Sequence, residues 1–290
     1  MTGGPAPQRI AITYYAEARG ALELAEHLRD DILAAGREAW IVDDLDDKAQ
    51  IEGADLLLAL GGDGTMLRTA RLAIGTDTLL LGVNMGRLGF LTEFDRHEAR
   101  ERLPDVLNGS GRIETRTMLQ ASIGARGEHY HALNEAVIGR STLSRAIQLA
   151  VDVDGVRIAD YRSDGVIVAT ATGSTAYALS LNGPILNPES RDLVIVPVAP
   201  HLAAQHAVVL PGSETVHVTL EPGQQAVLSL DGQVDLELRE GDSVTVEKSD
   251  HQARFLRLKD RTDFYVRMAA QLGWHRPGGN ARPLPPATGK

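Results

Sequence analysis

An apolar run that breaks into three glycines and one carboxylate, Leu56-Leu57-Leu58-Ala59-Leu60-Gly61-Gly62-Asp63-Gly64-Thr65, leaves this chain little choice of local structure. The run is short and bounded by a turn, as a strand buried on both faces is. Three glycines in four positions permit backbone angles closed to residues with a Cβ and let a ligand approach the main chain. Thr65 is a favourable helix starter, and the pattern after it predicts a helix over residues 65–74. The free N–H groups and the dipole at the start of that helix favour an anion, most often a phosphate. Asp63 is the odd member. A carboxylate beside a phosphate cradle is costly unless it holds a metal or takes a proton; otherwise it merely favours the turn. The glycine density and the strand–loop–helix context favour the chemical role. This is not the dinucleotide fingerprint, because Leu67 stands where its third glycine belongs. No G-x-x-x-x-G-K-[ST] stretch occurs, which excludes a Walker loop.

Around this centre the chain alternates strands and helices. Residues 9–15 read as a strand and 20–35 as a helix, with Leu22, Leu24, Ala25, Leu28, Ile32 and Leu33 at helical spacing. Gly36 closes that helix. Residues 38–42 and 78–83 are further strands, and 97–107 is a helix interrupted or started by Pro104. Such alternation implies a parallel sheet with ligands at the carboxyl ends of its strands, where the glycine loop sits. A second glycine-rich stretch, Asn84-Met85-Gly86-Arg87-Leu88-Gly89-Phe90, should lie near the first.

Near Gly109 the pattern changes to many short strands, among them 119–123, 148–153, 166–169, 216–220 and 244–247, which predicts a second, mostly β, sandwich-like domain. The expected divisions are 1–108, an α/β domain with the glycine loop; 109–258, an all-β ligand-binding domain; 259–275, carrying a helix over 262–272 that returns to the first domain; and 276–290, a disordered tail rich in proline and glycine. The 290 residues suit two domains. A net charge of −10 argues against a nucleic-acid partner. It also requires an anionic ligand to be met by local arginines and backbone amides. With no cysteine there is no disulfide or thiolate metal site. No signal peptide or membrane-length apolar run is evident, so a cytoplasmic enzyme without a membrane partner is the expectation.

Three constellations in the β part carry chemistry. Asn134-Glu135, placed on a strand, either sits at a wet sheet edge or binds a polar ligand such as a ribose or base; the residues alone weigh these equally. Asp164-Gly165 opens a strand that ends in Thr172-Gly173-Ser174-Thr175-Ala176-Tyr177, where hydroxyls stand ready to cap a helix. Leu230-Asp231-Gly232-Gln233 reads as a hairpin turn.

Together with Gly61-Gly62-Asp63-Gly64-Thr65 and Gly86-Arg87-Leu88-Gly89-Phe90, these stretches resemble the NAD kinase family. They stand in its order over roughly residues 10–274. One departure is visible: where the family usually has an arginine after its Pro-His, this chain has His206 in Pro200-His201-Leu202-Ala203-Ala204-Gln205-His206. The resemblance implies transfer of the γ-phosphoryl group of ATP, or of polyphosphate, to the 2′-hydroxyl of the adenosine ribose of NAD. A divalent metal, Mg²⁺ first, would be held mainly by phosphate oxygens and water rather than by a protein metal site. Asp63 would be the base, and Gly64 and Arg68 would face phosphate, although Arg68 alone reads equally as a solvated helix charge. The resemblance places Asn134 and Glu135 against the adenosine. It also places Arg145, Arg162, Asp164, Thr175, Ala176, Tyr177, Ala178, Leu179, Ser180 and Gln233 at dinucleotide-contacting positions. It implies a homodimer or homotetramer whose sites borrow residues from a neighbour. A lipid kinase, a dinucleotide sensor and a nicotinamide-dependent oxidoreductase are the competing readings.

Overall fold

The leucine-rich run Leu56–Gly61 is a strand buried along its whole length, in the middle of a parallel sheet. The structure is a computed structural model and describes residues 6–45, 47–86, 89–141, 146–201 and 206–274. The first part of the chain forms β1 (Arg9–Tyr14), α1 (Ala21–Ala34), β2 (Glu38–Ile41), β3 (Leu56–Gly61), α2 (Asp63–Leu72), β4 (Leu79–Asn84), β5 (Phe94–Asp95) and α3 (Glu98–Leu107). The strands lie in the order β2-β1-β3-β4, all parallel. On one face, Ala25, Leu28 and Ile32 of α1 and Leu103 and Val106 of α3 pack on Ile10, Ile12, Leu58 and Val83. On the other, Met66, Leu67 and Ala70 of α2 pack on Ala11, Leu57, Ala59 and Leu80. Covering both faces is what makes a continuous apolar strand such as β3 stable.

Gly36, with φ +75°, does close α1: its N–H meets the Leu33 carbonyl at 3.0 Å and the next N–H, of Arg37, meets Ile32 at 3.2 Å. Two expectations shift. Helix α2 begins at Asp63 with Gly62 as its cap, not at Thr65; an extended glycine supplies the entry, so Thr65 falls inside the first turn. Pro104 neither starts nor interrupts α3, which runs through it to Leu107. That helix is opened instead by Asp95, whose carboxylate accepts the N–H groups of His97 and Glu98 at 2.7 and 3.0 Å.

The rest of the chain to Leu258 is β6 (Arg112–Ile123), β7 (His129–Ala132), β8 (Glu135–Arg140), β9 (Ile147–Val153), β10 (Val156–Ser163), β11 (Gly165–Thr170), the one-turn α4 (Tyr177–Ser180), β12 (Leu193–Val198), β13 (Val208–Leu210), β14 (Val216–Leu220), β15 (Ala226–Leu230), β16 (Val234–Leu238) and β17 (Ser243–Arg257). An antiparallel sheet in the order β13-β12-β11-β8-β15-β16 faces the strands β10-β9-β14-β17, with β6 and β7 beside β17. Ile138, Val166, Val168 and Leu228 of one layer meet Leu149, Val151, Val218 and Val246 of the other, as in a sandwich. Strand β17 spans 15 residues and bulges between Lys248 and Gln252. At its far end Phe255 pairs in parallel with Leu80 of β4, so the parallel and antiparallel strands share one hydrogen-bonded sheet.

Residues up to Leu258 cluster as one compact unit, and those from Lys259 as a second. In the second, α5 (Asp263–Gln271) lies one residue inside each expected end, and Arg267 pairs with Asp263 one turn back. The expected disordered tail, 276–290, lies outside the described residues. No helix among the described residues is long and apolar enough to cross a membrane.

Candidate active site

Asp63 occupies the first position of α2, where a carboxylate is favoured by the helix dipole. Its side chain is turned to the second glycine-rich stretch: Oδ2 accepts the Phe90 N–H at 2.9 Å and Oδ1 the Leu91 N–H at 3.0 Å. The two loops therefore do meet. Gly89 is what lets them, since a Cβ there would stand 2.1 Å from Asp63 Oδ1. Gly61 is likewise needed, because a Cβ would stand 2.1 Å from Thr65 Oγ1. Arg87 and Leu88 of the same stretch lie outside the described residues.

A cleft of about 730 Å³ opens beside the α2 N-terminus. Gly62, Gly64, Thr65 and Arg68 form one wall and Asp231, Gly232 and Gln233 another, with Glu17, Asp43 and Asp44 also on its lining. Gln233 Nε2 donates to the Gly64 carbonyl at 3.3 Å, tying the β15–β16 turn to the glycine loop. That turn has Asp231 and Gly232 both at positive φ, +53° and +62°, the geometry an Asp-Gly hairpin predicts.

The sequence left Asp231 without a role of its own, and the structure gives it one. Its carboxylate accepts three successive main-chain N–H groups, from Leu133 at 2.8 Å, Asn134 at 2.7 Å and Glu135 at 3.1 Å. Burial raises its pKa, against those three amides, which lower it. Asn134 thus sits at the corner between β7 and β8 rather than on a strand, and only Glu135 begins β8. From the other side Thr170 Oγ1 donates to the Leu133 carbonyl at 2.6 Å, and Gly173 packs so closely that a Cβ would stand 2.2 Å from the Asn134 carbonyl oxygen. The wet-edge alternative is overturned: Asn134 and Glu135 are each 7% exposed. Asn134 Oδ1 and Glu135 Oε2 are buried with no hydrogen-bond partner, an arrangement that suits a polar ligand whose hydroxyls can both donate and accept. Burial first, then the nearby Asp231, pushes Glu135 up to about 8, so it holds a proton at neutral pH.

The hydroxyls after β11 do not cap a helix. Ser174 Oγ donates to the Ala171 carbonyl at 2.7 Å and Thr175 Oγ1 to Thr172 at 3.0 Å, closing their own turn. Helix α4 follows without a side-chain cap. Of its neighbourhood, Ala178 is buried, Thr175, Ala176 and Leu179 are half-buried, and Tyr177 and Ser180 are exposed.

Other predicted residues lie elsewhere. Asp164 pairs with Arg140 at 3.0 Å, and Arg162 is exposed on the edge strand β10. In the β8–β11 register Glu135 faces Ala169 while Gly139 faces Gly165. The Asp164–Arg140 pair is therefore about five residues from Glu135, roughly 17 Å along the sheet. Arg145 lies outside the described residues, as do residues 202–205, and His206 is exposed.

A buried ionic lattice beside the two loops had no expected role. Glu114 Oε1 accepts Arg116 Nε at 2.9 Å and Nη2 at 2.6 Å, and Arg257 Nε at 3.0 Å; its Oε2 accepts Arg112 Nη2 at 2.8 Å. Burial pushes Glu114 up, but Arg116 and Arg257 together with these hydrogen bonds hold it at about 2. Burial and the neighbouring Arg257 bring Arg116 down to about 10, still charged at neutral pH. The signal was present as Arg112, Glu114 and Arg116 at alternate positions of one strand, which put three charges on one face.

Comparison with known proteins matches this architecture. The model of the ATP-NAD kinase N-terminal domain matches residues 13–111 and that of the ATP-NAD kinase C-terminal domain residues 133–258. An NAD kinase of Chloroflexus aggregans is 37% identical over 271 residues, covering 91% of this chain and 98% of the relative. One from Geobacter sulfurreducens is 38% identical over 276 residues, covering 93% of each. Among solved structures, an NAD kinase from Archaeoglobus fulgidus in complex with ATP superposes with a TM-score of 0.77 at 26% identity, covering 90% of this chain and 98% of that one. Yeast NADH kinase complexed with NADH has the same fold, with a TM-score of 0.80 at 23% identity over 96% of this chain and 91% of that one.

Proposed function

The chain belongs to the NAD kinase family, which carries NAD to NADP, and from that premise we propose how its residues divide the work of moving a phosphoryl group from ATP to NAD. Such a transfer needs positioning and charge neutralisation more than covalent chemistry. The main chain of Gly62 and Gly64 at the α2 N-terminus, with Arg68 one turn on, meets the donor phosphates in the cleft. Glu17, Asp43 and Asp44 on the same cleft repel a bare triphosphate, which favours entry of the donor as its Mg²⁺ complex. In this reading the metal is carried mainly by phosphate oxygens and water.

The corner at Asn134 and Glu135, with its two unpartnered oxygens, receives the adenosine ribose. Asp63 takes the proton from the 2′-hydroxyl as that oxygen attacks the γ-phosphorus. Its two amide bonds use one lone pair on each carboxylate oxygen and leave the other free for the sugar. Asp164, roughly 17 Å along the sheet from Glu135, and Arg162, exposed on the edge strand β10, suit a dinucleotide bound to a second copy better than one at the corner of their own. We infer a homo-oligomer with shared sites acting in the cytoplasm.

The observation that carries this reading is a glycine loop bearing Asp63, tied through the Asp231–Gln233 turn to an unsatisfied Asn–Glu corner. Purified protein given NAD and Mg²⁺ with ATP or polyphosphate should form NADP with ATP, and the polyphosphate arm reads the donor range. Asp63→Asn should lower turnover at least about a hundredfold with little change in NAD affinity. Near-normal turnover in that variant would remove Asp63 from the role of base.

A further inference from the structure

We propose that Arg257 is a positioning residue for the Asp63 carboxylate, acting through the main chain of Leu91, and that the ionic lattice around Glu114 fixes this loop relative to the Thr172–Gly173 turn. The proposal rests on the reading of Asp63 as the base.

Leu91 joins the two groups through its own main chain. Its N–H donates to Asp63 Oδ1 at 3.0 Å while its carbonyl accepts Arg257 Nη1 at 2.9 Å. One peptide segment is therefore held by a guanidinium on one side and holds the carboxylate on the other. The same guanidinium is fixed twice more, by Nε to Glu114 Oε1 at 3.0 Å and by Nη1 to Glu93 Oε2 at 3.3 Å. From Glu114 the lattice continues to Arg116, whose Nη1 reaches Thr172 Oγ1 at 3.2 Å. Thr172 adjoins Gly173, the residue packed on the Asn134 carbonyl. An unbroken path thus joins the base to the turn that backs the ribose corner.

Stability is a poor reason for such a lattice. Arg116, Arg257, Glu93 and Glu114 are all buried, and removing ions from water costs more than their mutual attraction commonly returns. The two arginines already stack on the Phe255 ring, at 5.5 and 4.9 Å from its centroid, where apolar side chains would pack without that cost. What the ions add is direction: the planar guanidinium fork fixes angles that an apolar contact leaves loose. Phosphoryl transfer is sensitive to such angles, since a displacement near 1 Å can cost about a hundredfold in rate.

The test is steady-state kinetics on the full chain for Arg257→Gln, Arg257→Lys, Asp63→Asn and the double variant Arg257→Gln/Asp63→Asn, with melting temperature measured in parallel. Arg257→Gln should lower kcat at least about tenfold while KM for NAD and for ATP stays within about twofold, the signature of lost transition-state positioning. Arg257→Lys keeps the cation but not the planar fork, so it should show the same loss at smaller size; it also serves if the glutamine variant does not fold. The double variant should be no more than about twofold slower than Asp63→Asn, because both act through one group. A wild-type kcat per folded molecule in both Arg257 variants, with only the melting temperature lowered, would overturn the proposal. So would losses that multiply fully in the double variant. Near-normal turnover in Asp63→Asn alone would instead remove the base itself, and the positioning role with it.

Discussion

Glu135 is a buried carboxyl that combines an unpartnered oxygen with a raised affinity for a proton. Its pKa lies raised from 4.5 to about 8, by burial and then by Asp231. Between those two values the folded protein holds a proton that the unfolded chain has released. Stability of the ligand-free protein should therefore fall as pH rises through that window. Glu135→Gln keeps the shape and has no proton to lose, so most of this slope should vanish; thermal unfolding of both proteins across the window checks it, and equal slopes would count against the assignment. The neighbouring carboxylates differ in how visible they were. Asp63 stood out because glycines surround it and a helix follows. Asp231 did not, because the same Asp-Gly pair that bears three amides is also an ordinary hairpin turn; what distinguishes it is the corner at 133–135, about a hundred residues earlier in the chain. Arg257 ends a strand among apolar neighbours, and nothing local shows that its partners are Leu91 and Glu114.

At the scale of elements, three turns meet at the Asn134–Glu135 corner: β7–β8, β11–α4 and β15–β16. Close approach is the condition for that meeting, and Gly173 is where it is tightest. Gly173→Ala would place a methyl 2.2 Å from the Asn134 carbonyl oxygen. The corner must shift, at a cost of about 1–3 kcal/mol. KM for NAD should rise at least about fivefold while KM for ATP stays near its normal value, since the affected contacts lie on the acceptor side. An unchanged KM for NAD would detach this turn from the acceptor site. The elements themselves were largely legible, because β3, α1 and β14 carry clean periodicities. Their ends were less so. Gly62 takes the cap that Thr65 was expected to supply, and the hydroxyls after β11 close their own turn, because local side-chain bonds compete with capping.

For the molecule as a whole, the distance of Asp164 from the Glu135 corner, about five residues along β8, makes sharing between copies testable. If each site takes Asp63 from one copy and Asp164 from another, Asp63→Asn and Asp164→Ala should each be slow alone. Mixed after subunit exchange, they should recover about a quarter of normal activity, the statistical share of complete sites in a randomly exchanged two-fold dimer. No recovery despite demonstrated exchange would place both residues in one copy's site. The overall α/β and β division was visible from the change in periodicity near Gly109. The sheet continuity was not, because it depends on which strands a single long segment pairs with. That continuity has a cost in freedom. Strand β17 is bonded to β14 at one end and to β4 at the other, so the parallel strands around the glycine loop and the antiparallel strands beyond are soldered along a common beam. Rotating one set of strands against the other would have to bend or break the main chain of that shared strand.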